Sequence, residues 1–230
     1  LTVTGVQTCA LPICFLIARG FDDSDIARHG LGFTTEPKLI MRQFSVWEPD
    51  ALGFVVIPYF DKGRKSIHYA ALRTIEGDAP CRSKEWRPKG VSVSLWQEWL
   101  LTEGLPVVYV TEGVFDAIAF EKMAGKPCVA LGGTTFVNRL SNILESCEPS
   151  VRSAKVMILM DNDEAGRKAA NDLATRLDTL GIPHASASGM LGECKDANDL
   201  LMSLQGDRWE FAEAKPFPSS DMPLIMTKWV

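Results

Sequence analysis

From residue 107 onward the chain alternates short apolar runs with longer segments of helical periodicity, and that alternation most constrains its fold. Val107 to Val110, Cys128 to Leu131 and Val156 to Met160 have the length of strands buried on both faces, and His184 to Ser188 is a fourth candidate. Between the first two, Val114 to Ala124 reads as a helix stopped by Gly125, with Pro127 beyond. A second helix carries Phe136, Leu140, Ile143 and Leu144 on one face. A third carries Ala169, Leu173, Leu177 and Leu180 and ends at Gly181, before Pro183, while Asp196 is placed to open a fourth. Strands alternating with helices of this length require right-handed crossovers, hence an α/β unit with a parallel sheet.

Ligands of such sheets sit beyond the carboxyl ends of the strands. Acidic residues stand at those ends: Glu112 after the first strand, Asp161 and Asp163 after the third, and Asp196 after the fourth. Asp161 and Asp163 are two residues apart, so on extended backbone both point to one side. Gly113 removes a side chain where a phosphate must approach. Carboxylates gathered in one place repel one another unless cations hold them, which points to Mg²⁺ or Mn²⁺ and a phosphate-bearing substrate. Each cluster also has a purely structural reading. Asp163 fits an N-cap, Asp196 with Asp199 resembles a capping box, and Asp116 suits the first turn of a helix dipole. Acids at three strand ends exceed what capping alone accounts for.

Residues 15 to 103 read as a separate, small α+β unit. Asp22 or Ser24 is set to cap a short helix that Gly30 ends, and Phe54 to Phe60 pairs with Ser66 to Leu72 across an Asp61–Arg64 turn. Pro58 marks that first strand as weakened or an edge strand. At net charge −5 the chain has no global basic field, yet residues 61–90 hold eight Lys and Arg against four Asp and Glu. From this segment Lys62, Arg64, Arg73 and Lys89 are candidates for nucleic-acid or nucleotide phosphates. None of the six cysteines forms a Cys-x-x-Cys pair and there are three histidines, which argues against a zinc site in this sequence. No apolar stretch is long enough for a bilayer, and the protein is expected in the cytoplasm. Residues 104–206 form the second unit, and the proline-containing stretch 207–230 reads as a tail or linker. Residues 1–14 resemble the conceptual translation of a sequencing-adapter read and are set aside as non-native.

The acidic motifs carry a family resemblance. Thr111-Glu112-Gly113-Val114-Phe115-Asp116-Ala117 resembles the glutamate motif of Toprim domains, Asp161-Asn162-Asp163-Glu164-Ala165-Gly166 their Asp-x-Asp motif, and Lys195-Asp196-Ala197-Asn198 the third acidic motif of phage-type primases. Upstream, Arg19-Gly20 to Phe33, Val56-Ile57-Pro58-Tyr59-Phe60-Asp61-Lys62-Gly63, and Pro88-Lys89-Gly90 with Leu95-Trp96 resemble the polymerase core of bacterial-type DNA primases. The resemblance implies a Rossmann-like Toprim fold behind an α+β subdomain, in an N-terminally truncated primase core of bacterial or phage type that lacks the family's zinc-binding module, with phage, plasmid and chromosomal origins all open. It also implies primer RNA synthesis from ribonucleoside triphosphates on single-stranded DNA, with a replicative helicase as partner. Glu112, Asp161 and Asp163 would be catalytic, and these three with Asp196 would hold metal. Gly113 and Lys195 would contact nucleotide or DNA, with Asp116, Asn198 and Asp199 in support. Asn198 departs from the aspartate of cellular primases. The rival readings are a Toprim nuclease or topoisomerase and a non-catalytic DNA-binding replication protein. A topoisomerase needs a nucleophilic tyrosine, and only Tyr59, Tyr69 and Tyr109 are present, all in predicted strands.

Overall fold

The protein is described here by a computed structural model covering residues 11–34, 51–76, 81, 83–150 and 152–204. Two compact units divide between Val93 and Ser94, ten residues before the boundary read from the sequence. The proposed tail, 207–230, and residues 1–10 of the adapter-like segment lie outside the described residues.

In the first unit two short helices, α1 (Leu11–Ile17) and α2 (Asp23–His29), precede an antiparallel sheet. Its strands are β1 (Gly32–Thr34), β2 (Ala51–Phe60), β3 (Ile67–Glu76) and β4 (Glu85–Trp86), side by side in that order. The expected cap forms: the Asp22 carboxylate accepts from the Ser24 and Asp25 amides, Asp25 returns a bond to the Asp22 amide, and Gly30 closes α2 at φ 63°. In the hairpin turn the Asp61 carboxylate accepts from the Lys65 and Ser66 amides and the Ser66 hydroxyl. Two expectations need correction. β3 runs on to Glu76 because β2 begins at Ala51, before the expected Phe54, and pairs back to it, Ala51 opposite Glu76 and Gly53 opposite Ile75. β2 is an internal strand, yet β1 pairs only with Phe54, Val55 and Val56. Pro58, opposite Ala70 of β3, therefore lies past the reach of β1, so its missing N–H takes no bond from that strand.

The second unit is the parallel sheet. Its strands β5 (Val108–Thr111), β6 (Cys128–Ala130), β7 (Val156–Ile158) and β8 (His184–Ser186) lie in the order β6-β5-β7-β8, every pairing parallel. The helices are α3 (Val114–Ala124), α4 (Val137–Ser146), α5 (Glu164–Thr179) and α6 (Ala197–Leu204). The apolar runs overshoot the strands: Leu159 and Met160 are buried although β7 stops at Ile158. Hydrophobicity reports burial, and the backbone here stays buried after the ladder ends.

The core joins Val108, Val110, Val129, Val156 and Ile158 of the sheet to Leu140 and Leu144 of α4 and Leu173 and Leu177 of α5. The chain steps from β5 through α3 to β6, then returns past β5 through α4 to β7. Right-handed crossovers put those two helices on opposite faces, and α3 packs with α6 while α4 packs with α5. The direction of winding thus reverses between β5 and β7. A crevice at the carboxyl ends of those two strands is the geometric result. The outer side of β6 is covered by Trp96, whose amide donates to the Ala130 carbonyl at 2.9 Å and whose carbonyl accepts from the Ala130 amide at 3.2 Å.

Gly166, in the first turn of α5, is fixed by crowding. A Cβ there would stand 2.1 Å from the Asp161 carbonyl oxygen. Gly166→Ala is expected to cost about 1–3 kcal/mol by overpacking, lowering Tm by several degrees in thermal unfolding; an unchanged Tm would mean that the β7–α5 turn relaxes freely.

Candidate active site

The carboxyl ends of β5 and β7 carry Glu112 and Asp161, one on each side of the crevice. The Glu112 backbone is held by its carbonyl, which accepts from the Gly132 amide at 2.8 Å in an extension of the β5–β6 ladder. Gly113 then leads into α3, and Asp116 lies in the first turn of that helix. The Asp116 carboxylate folds back so that a Cβ on Gly113 would sit 2.5 Å from Asp116 Oδ2. Space at Gly113 is thus taken by a neighbouring acid, where the sequence pointed to an approaching phosphate. Asp116 Oδ1 accepts the Asn198 amide at 3.2 Å, tying the start of α3 to the start of α6.

The capping readings hold as well. Asp163 caps α5, with Oδ1 accepting the Gly166 amide at 2.9 Å. Asp196 Oδ1 accepts the Asp199 amide at 2.8 Å, but Asp199 Oδ2 returns its bond to the Lys195 amide at 3.0 Å. This is a capping box displaced by one residue. Capping uses one lone pair of one oxygen in each group, so both carboxylates keep acceptor capacity for a cation.

The acids sense one another. Asp161 is pushed up to about 6 by burial and by the charges of Glu112 and Asp196, with Lys195 opposing. Asp116 is pushed up to about 8 by burial, by the charges of Asp196 and Asp161, and by a side-chain hydrogen bond with Asp196. Glu112 is raised above the usual glutamate value by burial and then by Asp163, while Lys195 pulls it down. Glu112, Asp161, Asp163, Asp196, Asp116 and Lys195 are therefore one electrostatic group. Among the described residues no three His, Cys, Asp or Glu side chains close on a point as a finished ligand shell. An all-oxygen set of carboxylates fits a hard cation that retains part of its water, as Mg²⁺ does.

The remaining candidates separate by unit. Lys62 and Lys89 are exposed in the first unit, and Arg64 and Arg73 are half-buried there. Arg64 donates to the Arg28 carbonyl and lies over the Phe60 ring at 4.8 Å, while Arg73 stands opposite Glu85 in the β3–β4 pair. Asn198 is buried, and its amide rather than its side chain makes the bond to Asp116. Sequence reasoning placed Asp116 in support and passed over Asn162. The first had a visible signal, a glycine three residues before an acid. The second had none, because its partners lie thirty residues away.

Residues 109–201 match the Toprim-like family model. The chain is 42% identical over 77 residues to a DNA primase of Campylobacter jejuni, and 32% identical over 95 residues to an uncharacterised protein of Mycoplasma pneumoniae. Those matches take in 33% and 41% of this chain, and 12% and 42% of the respective relatives. Among solved structures, the primase fragment of the bacteriophage T7 primase-helicase superposes with TM-score 0.58 at 22% identity, over 82% of this chain and 68% of that one. No described helix is long and apolar enough to cross a membrane. Residues 109–201 are thus a Toprim-like domain, in a chain with the fold of a primase catalytic fragment.

Proposed function

We propose that the chain is the catalytic core of a DNA primase, joining ribonucleotides on a single-stranded DNA template, with Mg²⁺ or Mn²⁺ as cofactor. One observation carries this reading: five carboxylates and a lysine form one charge-coupled group at the winding reversal of a Toprim-like sheet. The primase-like fold narrows the chemistry from phosphoryl transfer in general to strand synthesis. The basic residues Lys62, Arg64, Arg73 and Lys89 are the candidates to hold template and nucleotide phosphates, with Lys195 beside the carboxylates. A replicative helicase is the expected partner, by analogy with the primase-helicase relative.

Glu112, Asp161, Asp163 and Asp196 would hold the cation, which when bound neutralises charge developing on the phosphate oxygens. The reacting 3′-hydroxyl oxygen bonds to the α-phosphorus of the incoming triphosphate, and pyrophosphate leaves. Glu112, with its affinity for a proton raised by burial, takes the hydroxyl proton. Asp116, protonated up to about pH 8, donates to Asp196 and holds that loop against α3.

Glu112→Gln is expected to lower primer synthesis by about 10²–10⁴-fold, the usual worth of a positioned general base, without change in fold. The Asp161→Ala/Asp163→Ala double variant should lose both synthesis and Mn²⁺ binding. Short labelled products on mixed-sequence single-stranded DNA with Mn²⁺ check both. Synthesis that survives these changes would remove the assigned roles, and plasmid nicking without nucleotides would favour the nuclease alternative.

Linkage gives a second test. Asp116 and Asp161 bind protons more tightly in the folded protein than unfolded, so between about pH 4 and pH 8 the native state holds the extra protons. Metal-free stability should therefore fall as pH rises across that window. Adding Mg²⁺ or Mn²⁺ at about pH 8 should restore it, by about 2.7 kcal/mol at a hundred-fold excess over Kd. Burial lowers His29 to about 3, which opposes this trend below about pH 6.5; a metal-free Tm that rises from pH 7 to pH 8 would contradict the crowded-carboxylate picture.

A further inference from the structure

Asn162 stands between two acids and bears no charge, yet its amide, its carbonyl and its side-chain nitrogen are all engaged. Its N–H donates to the Lys195 carbonyl at 2.6 Å, and its Nδ2 donates to the Gly192 carbonyl at 3.4 Å. Its own carbonyl accepts from Arg167 Nη1 at 3.2 Å. The first two bonds cross from the β7–α5 turn, which carries Asp161 and Asp163, to the loop that carries Lys195 and Asp196.

That loop is shaped to receive them. The Cys194 amide donates to the Leu191 carbonyl at 2.9 Å and closes a turn around Gly192. Gly192 adopts φ 57° and ψ −123°, a combination that residues with a Cβ strongly resist. A Cβ at Gly192 would meet nothing within 4 Å, so the glycine serves backbone conformation and not space. This conformation turns the Gly192 carbonyl toward Asn162. At its far end the loop is held by the crossed bonds of Lys195, Asp196 and Asp199.

We propose that Asn162 is a positioning residue, latched to Gly192 and Lys195, that sets the separation between the Asp161–Asp163 turn and the Asp196 loop so that both grip one divalent cation. This inference rests on the metal-site reading above and deepens it. The two loops leave different strands, and among the described residues no other hydrogen bond joins the Asp161–Asp163 turn to the 192–196 loop. With the latch cut, the acids repel to a wider spacing and the cation is shared less well. Arg167 supports the latch from α5 by fixing the Asn162 carbonyl.

The test is titration calorimetry of the full chain with MnCl₂ alone, alongside thermal unfolding. Four proteins are compared: wild type, Asn162→Ala, Gly192→Ala and Gly181→Ala. Gly181 also has positive φ, 63°, and open space around its Cβ position, but lies at the other end of α5. It reports backbone strain without touching the latch. Asn162→Ala keeps the backbone bond to Lys195 and removes only the Nδ2 bond to Gly192, the part of the latch specific to asparagine. It and Gly192→Ala should each raise the Mn²⁺ Kd by about ten-fold or more, as losses of residues that orient metal ligands do. Gly181→Ala should bind as wild type does, at a Tm similar to that of Gly192→Ala. Amide exchange at Asn162 should quicken in Gly192→Ala. If wild type binds Mn²⁺ and both latch variants bind it equally well, the latch is refuted while the metal site stands. If wild type shows no saturable Mn²⁺ binding, the metal-site reading fails and the latch falls with it.

Discussion

Mutual repulsion among carboxylates is the constraint around which the second unit is organised. Glu112, Asp116, Asp161, Asp163 and Asp196 would separate if their side chains alone decided, since each raises a neighbour's proton affinity or has its own raised. What confines them is backbone. Glu112 follows a strand bonded on both sides, and Asp161 sits against Gly166 so closely that no larger residue fits. Asp163 and Asp196 are engaged by the helix amides they cap. Folding energy from a large apolar core is thus used to hold charge together. Such preorganised charge is what phosphoryl transfer requires, because the protein then need not rearrange during the reaction.

The capping and catalytic readings, which compete on paper, turn out to be compatible in three dimensions. An Asp at an N-cap directs one oxygen to a backbone amide and leaves the other free. On the metal-site reading proposed above, the cap would be the device that orients the ligand. Asp163 and Asp196 gain rotamer definition from their helices, and the helices gain satisfied N-termini from the same groups.

Most of the second unit was legible in the sequence because its signals are local. The helix stops at Gly125 and Gly181, the apolar faces of α4 and α5, and the acids after β5 and β7 all fall where periodicity and capping rules put them. Strand ends were less legible: Leu159 and Met160 are as apolar and as buried as the strand before them, and the Leu159 amide still donates to the Val110 carbonyl although β7 has ended at Ile158. The internal place of β2 was hidden by Pro58, whose tolerance depends on how far β1 extends along it. In the site, Glu112 and the Asp pair stood out by type and spacing. The contribution of Asp116 and the bonds of Asn162 depend on contacts with residues 198, 192 and 195, which no window along the chain reveals.

The reciprocal pairing of Trp96 with Ala130 carries a consequence for self-association. A parallel sheet normally exposes one row of unsatisfied amides along each flank, where another chain can dock and extend it. On the β6 flank that row is met, at Ala130, by the chain's own entry segment, and the opposite flank, β8, offers only three residues. The sheet is thereby poorly suited to edge-to-edge polymerisation with other copies of itself.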